Sequence, residues 1–128
     1  MDIKDFLKND KFAELSGIEL LEIEIGYAKA RMKITSSHLN AGGVCQGGAI
    51  FTLADFAFAA AVNAQGLLTV SICSTINFFR PEKEGYLYAE AREIFNHKKI
   101  PNYEVKVVNE KNELIAIVNA TGYRRDMS

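Results

Sequence analysis

Apolar residues near the amino terminus recur at helical spacing. Ile3, Phe6, Leu7, Phe12 and Leu15 fall near one face, which predicts a short amphipathic helix from Ile3 to Leu15, ended by Gly17. The period then changes to two. Ile18 to Ile25 and Tyr27 to Ile34 alternate around Gly26, and Lys29, Arg31 and Lys33 interleave with Ala28, Ala30 and Met32. That is a half-buried strand pair joined by a hairpin. A polar, glycine-rich stretch from Thr35 to Gly48 follows, and behind it runs AIFTLADFAFAAAV, in which twelve of fourteen residues are apolar. A helix that is apolar all round must be enclosed on most sides. Asn63 and Gly66 supply its stop signal. Strand-like segments Leu67 to Phe79, Tyr86 to Phe95, Tyr103 to Val108 and Leu114 to Tyr123 complete the chain, separated by short turns. Short turns join antiparallel neighbours, because parallel ones need long crossovers. The pattern predicts an α+β fold: one long central helix wrapped by a curved antiparallel sheet, with a short N-terminal helix.

The 128 residues suit a single domain over 1–128. With 15 basic and 16 acidic side chains among 48% hydrophobic ones, disorder and a general nucleic-acid field are both excluded. The amino terminus lacks the apolar core of a signal peptide, and no stretch reaches the ~20 apolar residues of a membrane span. The sequence therefore reads as soluble and cytoplasmic, without a membrane or nucleic-acid partner. Cys45 and Cys73 have no Cys or His neighbours at ligand spacing, so they read as reduced thiols and no metal site is expected.

One residue breaks the pattern. Asp55 stands in the middle of the most hydrophobic segment. A carboxylate there faces a solvated helix edge, accepts from a hydroxyl such as that of Thr52, pairs with a distant arginine, or serves as a desolvated base or nucleophile. The loop ahead of it points to the last of these. Gly42, Gly43, Gly47 and Gly48 let backbone approach a ligand, and the last two lie where the helix begins. Their N–H groups are among the unpaired donors of the first turn, a ready site for a phosphate or for an oxyanion. Yet Asp55 lies eight residues beyond Gly47, roughly 12 Å down the same helix at 1.5 Å per residue. One chain cannot join the two groups. A two-fold dimer can, by placing Asp55 of one copy beside the glycine turn of the other.

The residues HLNAGGVCQGGAIFTLAD, Gly66 and STINFFRP together resemble the hotdog-fold acyl-CoA thioesterases of the phenylacetyl-CoA (PaaI-type) branch. Their loop and helix read approximately H-x-N-x-x-G-x-x-H-G-G followed by Leu-x-Asp. The resemblance spans about residues 12 to 125 and is most specific between His38 and Pro81. It implies a dimerised hotdog fold in which the Gly47 N–H polarises the thioester carbonyl. It further implies Asp55 of the partner as general base or nucleophile, Asn40 near the reacting centre, and Ser71 as a hydroxyl supporting the water. For coenzyme A it implies a region formed by Gly48, Phe78, the turn with Asn96, His97, Lys98 and Lys99, and Arg124 with Arg125. Fixed cations there suit phosphates. Gln46 stands where the family has His before the glycine pair; an amide donates a hydrogen bond but does not exchange protons near neutral pH. His38 matches an earlier family His and is expected to support the loop.

The implied activity is hydrolysis of an aromatic or medium-chain acyl-CoA to the free acid and CoA by a homodimer or dimer of dimers, needing no metal or redox cofactor. Phe51, Phe56 and Phe58 are the aromatic residues offered for the acyl group. A non-catalytic acyl-CoA binding or sensing protein of the same fold is the alternative, kept open by Gln46 and opposed by Asp55. A hotdog hydratase would need an Asp and His pair that the chain does not space appropriately.

Overall fold

A computed structural model describes residues 2–66 and 68–125. Its elements are α1 (Ile3–Leu7), α2 (Lys11–Leu15), β1 (Ile18–Glu24), β2 (Tyr27–Lys33), a 3-10 turn (Ser36–His38), α3 (Gly47–Val62), β3 (Thr69–Phe78), β4 (Tyr86–Phe95), β5 (Asn102–Val108) and β6 (Leu114–Arg124). The six strands form one sheet in the order β1-β2-β4-β5-β6-β3, and every pair is antiparallel. The expected long helix against a curved antiparallel sheet is present. The strand predicted from Leu67 begins at Thr69; Leu67 itself lies outside the described residues.

Alternation decides which face of each strand meets the helix. Ala28, Ala30 and Met32 of β2, Leu87, Ala89 and Ala91 of β4, and Tyr103, Val105 and Val107 of β5 are all fully or almost fully buried. Register sets Ala28 opposite Ala91 and Ala30 opposite Ala89, a floor of four alanines across which α3 packs. Small side chains there let the helix approach the sheet closely, and Leu53, Ala54, Ala57 and Ala61 of α3 are buried as a result. Phe58 packs edge-on against the Tyr103 ring, with centroids 5.5 Å apart, so it belongs to the core.

Two expectations need correction. The N-terminal helix is broken in two, because the Asp10 side chain accepts from the Ala13 N–H at 3.0 Å and starts α2 afresh. The restart turns Leu7 and Ala13 inward and leaves Phe12 and Leu15 63% and 82% exposed. Nor is α3 enclosed all round. Gly48 is exposed, and Phe51, Thr52, Asp55 and Ala59 are half-buried. At 100° per residue these positions form one narrow stripe that the sheet does not cover.

The far end of α3 is locked to the sheet. The Asn63 Oδ1 accepts from the Thr69 N–H at 2.7 Å, and the Asn63 amide donates to the Ala59 carbonyl at 2.9 Å. Nearby, a Cβ added at Gly122 would lie 2.7 Å from Thr69 Cγ2 and 3.3 Å from the Val70 carbonyl. Since backbone cannot yield as a side chain does, Gly122→Ala is expected to cost about 1–3 kcal/mol. Urea unfolding would show a lowered midpoint at unchanged slope.

Candidate active site at the start of the central helix

The glycine loop is built by its own polar residues. Asn40 Oδ1 accepts from the Gly42 and Val44 N–H groups at 2.9 and 3.2 Å, while its backbone N–H donates to the Val44 carbonyl at 2.8 Å. Asn40 thus folds the loop back on itself, and Gly43 takes φ +82° within it, a conformation that side chains with a Cβ rarely adopt. The loop ends in Gln46, whose N–H donates to the His38 carbonyl at 2.8 Å. Gln46 Oε1 lies over Gly48, where an added Cβ would stand 2.8 Å from it.

His38 ties this loop to the N-terminal helices. Its Nδ1 accepts from the Thr35 N–H at 2.9 Å, and its Nε2 lies 2.9 Å from the Ser16 carbonyl. Acceptance at Nδ1 and donation at Nε2 define one neutral tautomer. The expected supporting role is realised, with the C-terminal end of α2 as the second anchor. His38→Ala removes both bonds and is expected to lower stability by about 1–3 kcal/mol, readable as a shift in urea midpoint.

At the start of α3 the Gly47 and Gly48 N–H groups have no acceptor among the described residues, and Gln46 supplies no side-chain cap. They are orphan donors at the positive end of a sixteen-residue helix. Phe78, half-exposed at the end of β3, lies against Gly47 so closely that a Cβ there would meet its Cζ at 2.9 Å. A larger residue at 47 would have to push the Phe78 ring aside. Cys45, within the same loop, is buried, and burial pushes its thiol up to about 11. It therefore stays a neutral thiol at physiological pH.

Asp55 is half-buried on the uncovered stripe of α3. The Thr52 hydroxyl donates to the Gly48 carbonyl at 2.7 Å, so it does not serve Asp55. No hydrogen-bond donor or cation meets the carboxylate among the described residues. Burial first, and the like charge of Asp10 second, push its pKa above the ordinary aspartate value. Sequence reasoning missed Asp10; the signal was a helix-capping Asp before Lys-Phe-Ala-Glu.

The other expected site residues divide into two groups. Ser71 sits opposite Gly122, and Ser74 opposite Ala120, which places both on the helix-facing side of β3. The Ser71 and Ser74 hydroxyls lie 3.0 Å apart. The cations cluster at the opposite end of α3 from Gly47. There the Arg124 N–H donates to the Lys99 carbonyl, and the Arg125 N–H to the Leu68 carbonyl, each at 2.8 Å. Asn96, Lys98 and Lys99 are exposed, and His97 Nδ1 accepts from the Lys99 and Ile100 N–H groups to shape the turn. The Arg124 guanidinium is largely buried, 3.7 Å from Glu93, whereas Arg125 is exposed. One chain therefore brings together Asn40, Gln46, Gly47, Gly48 and Phe78, but separates them from Asp55 and further still from the cations.

Comparison with known proteins bears on this arrangement. The family described as the thioesterase superfamily matches residues 42–116. The Escherichia coli acyl-coenzyme A thioesterase PaaI is 36% identical over 118 residues, covering 91% of this chain and 84% of that protein. A candidate esterase of Archaeoglobus fulgidus is 44% identical over 124 residues, 95% of this chain and 80% of its own length. The solved structure of the E. coli PaaI protein from the phenylacetic acid degradation operon superposes with TM-score 0.94 at 32% identity, covering 98% of this chain and 91% of that one. A variant of the phenylacetic acid degradation protein PaaI from Thermus thermophilus superposes with TM-score 0.86 at 32% identity, covering 91% and 100%.

Proposed function

This chain belongs to the thioesterase superfamily, with the hotdog fold, and from that premise we propose that it hydrolyses an aromatic or medium-chain acyl-CoA to the free acid and CoA. The observation that carries the reading is the Asp55 carboxylate, half-buried without a donor or cation among the described residues, on the same helix as two free N–H groups. The donor pair suits a developing oxyanion, and the carboxylate suits a general base whose proton affinity has been raised toward the working pH.

The reaction follows from those roles. Asp55 takes a proton from water as the water oxygen bonds to the thioester carbon. The carbonyl oxygen becomes an oxyanion facing the Gly47 N–H. Collapse of that intermediate breaks the carbon–sulfur bond, and the proton held on Asp55 passes to the departing sulfur. The reaction so written uses no metal or redox cofactor. Asn40 holds the loop that presents the donors, and Ser71 and Ser74 offer hydroxyls to the water.

The site is shared between two copies. Gly48, Phe51, Thr52 and Asp55 are symmetric about the point between Phe51 and Thr52. Two copies of α3 laid antiparallel about that point set Asp55 of one opposite Gly48 of the other. Such a two-fold contact is self-complementary by construction. The outer edge of β3 has no neighbour among the described residues and is open to pairing. In this assembly the chain that supplies Asp55 also carries its 96–101 turn and Arg125 beyond the partner's glycine turn, where exposed cations suit the phosphates of CoA.

Thiol release from phenylacetyl-, hydroxyphenylacetyl-, benzoyl- and straight-chain acyl-CoAs tests the reading. Turnover of at least one is expected. A protein that binds CoA tightly and releases no thiol from any of them is a sensor instead, the outcome that Gln46 in place of a proton-transferring His would explain.

A further inference from the structure

A cavity of about 920 Å³ lies under α1 and α2 and along β1. Its walls include Leu7 and Ala13 from the N-terminal helices, Ile18, Leu20 and Ile23 from the inward face of β1, and Phe56 from α3. This volume is within the range that holds a small ligand with most of its surface buried. Phe56 directly follows Asp55, and Asp10, which also lines the cavity, is the charge that acts on Asp55. The cavity thus shares Asp10 and the helix turn of Phe56 with the surroundings of Asp55, which does not itself line it. Of the three aromatic residues offered by the sequence, Phe58 is committed to Tyr103 and Phe56 is the one that lines this space.

The rim carries the selectivity. Asp10, Glu14, Glu19 and Glu22 stand around the cavity against Lys4 and Lys8. Glu19 is paired with Arg31 at 3.0 Å, and Lys8 leans toward Asp5 at 3.8 Å. The balance that remains is acidic, which repels a carboxylate at the far end of an acyl group while leaving an uncharged one unopposed. Within the thioesterase reading, on which this inference rests, we propose that the cavity under α1 and α2 is the acyl pocket and that it selects neutral, apolar acyl groups over those ending in a carboxylate. The N-terminal helices are then part of the substrate site: the chain that provides the base also houses the acyl group, and its partner provides the oxyanion donors.

Leu20 offers the test, because it lines the cavity and has no part in the chemistry. Leu20→Trp fills the space and Leu20→Ala enlarges it. Thiol release is measured for acetyl-, butyryl-, octanoyl- and dodecanoyl-CoA, with glutaryl-CoA as the charged control. Leu20→Trp is expected to lower the octanoyl-to-acetyl ratio of kcat/KM at least tenfold, and Leu20→Ala to shift the optimum toward dodecanoyl. Wild-type protein is expected to turn over glutaryl-CoA at least tenfold less well than a neutral chain of similar length. Ratios that stay within twofold across both variants, or a wild type that prefers glutaryl-CoA, would overturn the assignment. Calorimetric binding of octanoyl-CoA to Asp55→Asn, with and without Leu20→Trp, separates the two readings. Tenfold weaker binding on filling the cavity, with no turnover by wild type, keeps the pocket and removes the hydrolase. Turnover with an unmoved chain profile does the reverse.

Discussion

Asp55→Asn is expected to lower kcat by about 10²–10⁴, the usual contribution of a positioned general base, while the affinity for a non-hydrolysed CoA thioester changes little. The same substitution should make the protein more stable at neutral pH. Burial and the charge of Asp10 raise the Asp55 pKa in the folded state above its unfolded value. The folded chain therefore holds more protons than the unfolded one between those two values, and stability falls as pH rises through that window. Above it the full cost of an ionised, unpaired carboxylate persists; below the unfolded pKa it vanishes. Melting temperatures of wild type and Asp55→Asn should accordingly diverge at pH 7 to 8, the variant higher, and converge below the ordinary aspartate range. A gain in stability joined to a loss of rate is the signature of a residue kept for chemistry rather than for folding. An Asp55→Asn protein that is less stable at pH 7 would mean that a donor holds the carboxylate in the assembled protein, across the two-fold contact or within the chain, and that burial does not govern its pKa there.

Gly47→Pro is the second large effect. Proline at the first position of a helix loses only an N–H that has no intrahelical partner, and its fixed φ suits the helix. The preceding Gln46 has φ −64° and ψ 142°, the extended region that a following proline demands. The helix start can therefore accept the ring, and what disappears is the donor. Phe78 is the obstacle, since any Cβ at 47 meets its ring. The comparison is best made in a Phe78→Ala background, with Gly47→Ala as the control that adds Cβ but keeps the N–H. Gly47→Pro is expected to lower kcat about 10²–10³-fold below the Gly47→Ala control, the cost of removing one oxyanion donor. Equal rates for the two variants would take the Gly47 N–H out of the reaction.

Much of this was legible in the sequence because each signal was local. The change of period from helix to strand, Gly26 at the hairpin and the isolated Asp55 are all properties of short windows, and the eight-residue step from Gly47 to Asp55 is helix arithmetic. What the sequence concealed depends on partners brought together by folding. The N-terminal segment looks like one helix by periodicity, yet the Asp10 cap divides it, and the second half buries Ala13 and exposes Phe12 and Leu15. Residues Ala49 to Val62 look apolar on every side, yet the sheet covers all but one stripe, and only the folded chain shows Asp55 lying on it. His38 gives no hint that its second nitrogen reaches Ser16, twenty-two residues earlier. Arg124 and Arg125 are neighbours of identical chemistry, and only burial separates the guanidinium beside Glu93 from the exposed one.

The central claim is that one chain supplies the base and another the oxyanion donors. It is tested most directly by mixing two inactive proteins, Asp55→Asn and the Gly47→Pro, Phe78→Ala variant, unfolding them together and refolding. In a mixed dimer one site combines both defects and the other is assembled from the two intact halves. Random pairing makes half of the dimers mixed, so about a quarter of the sites should be restored. The restored site takes Gly47 and Phe78 from the Asp55→Asn chain and Asp55 from the other, so wild-type protein carried through the same cycle is the reference. Thiol release at about a quarter of that reference is the expected result. Mixed dimers that form, as native mass spectrometry would verify, and yet release no thiol above either parent would contradict the shared site.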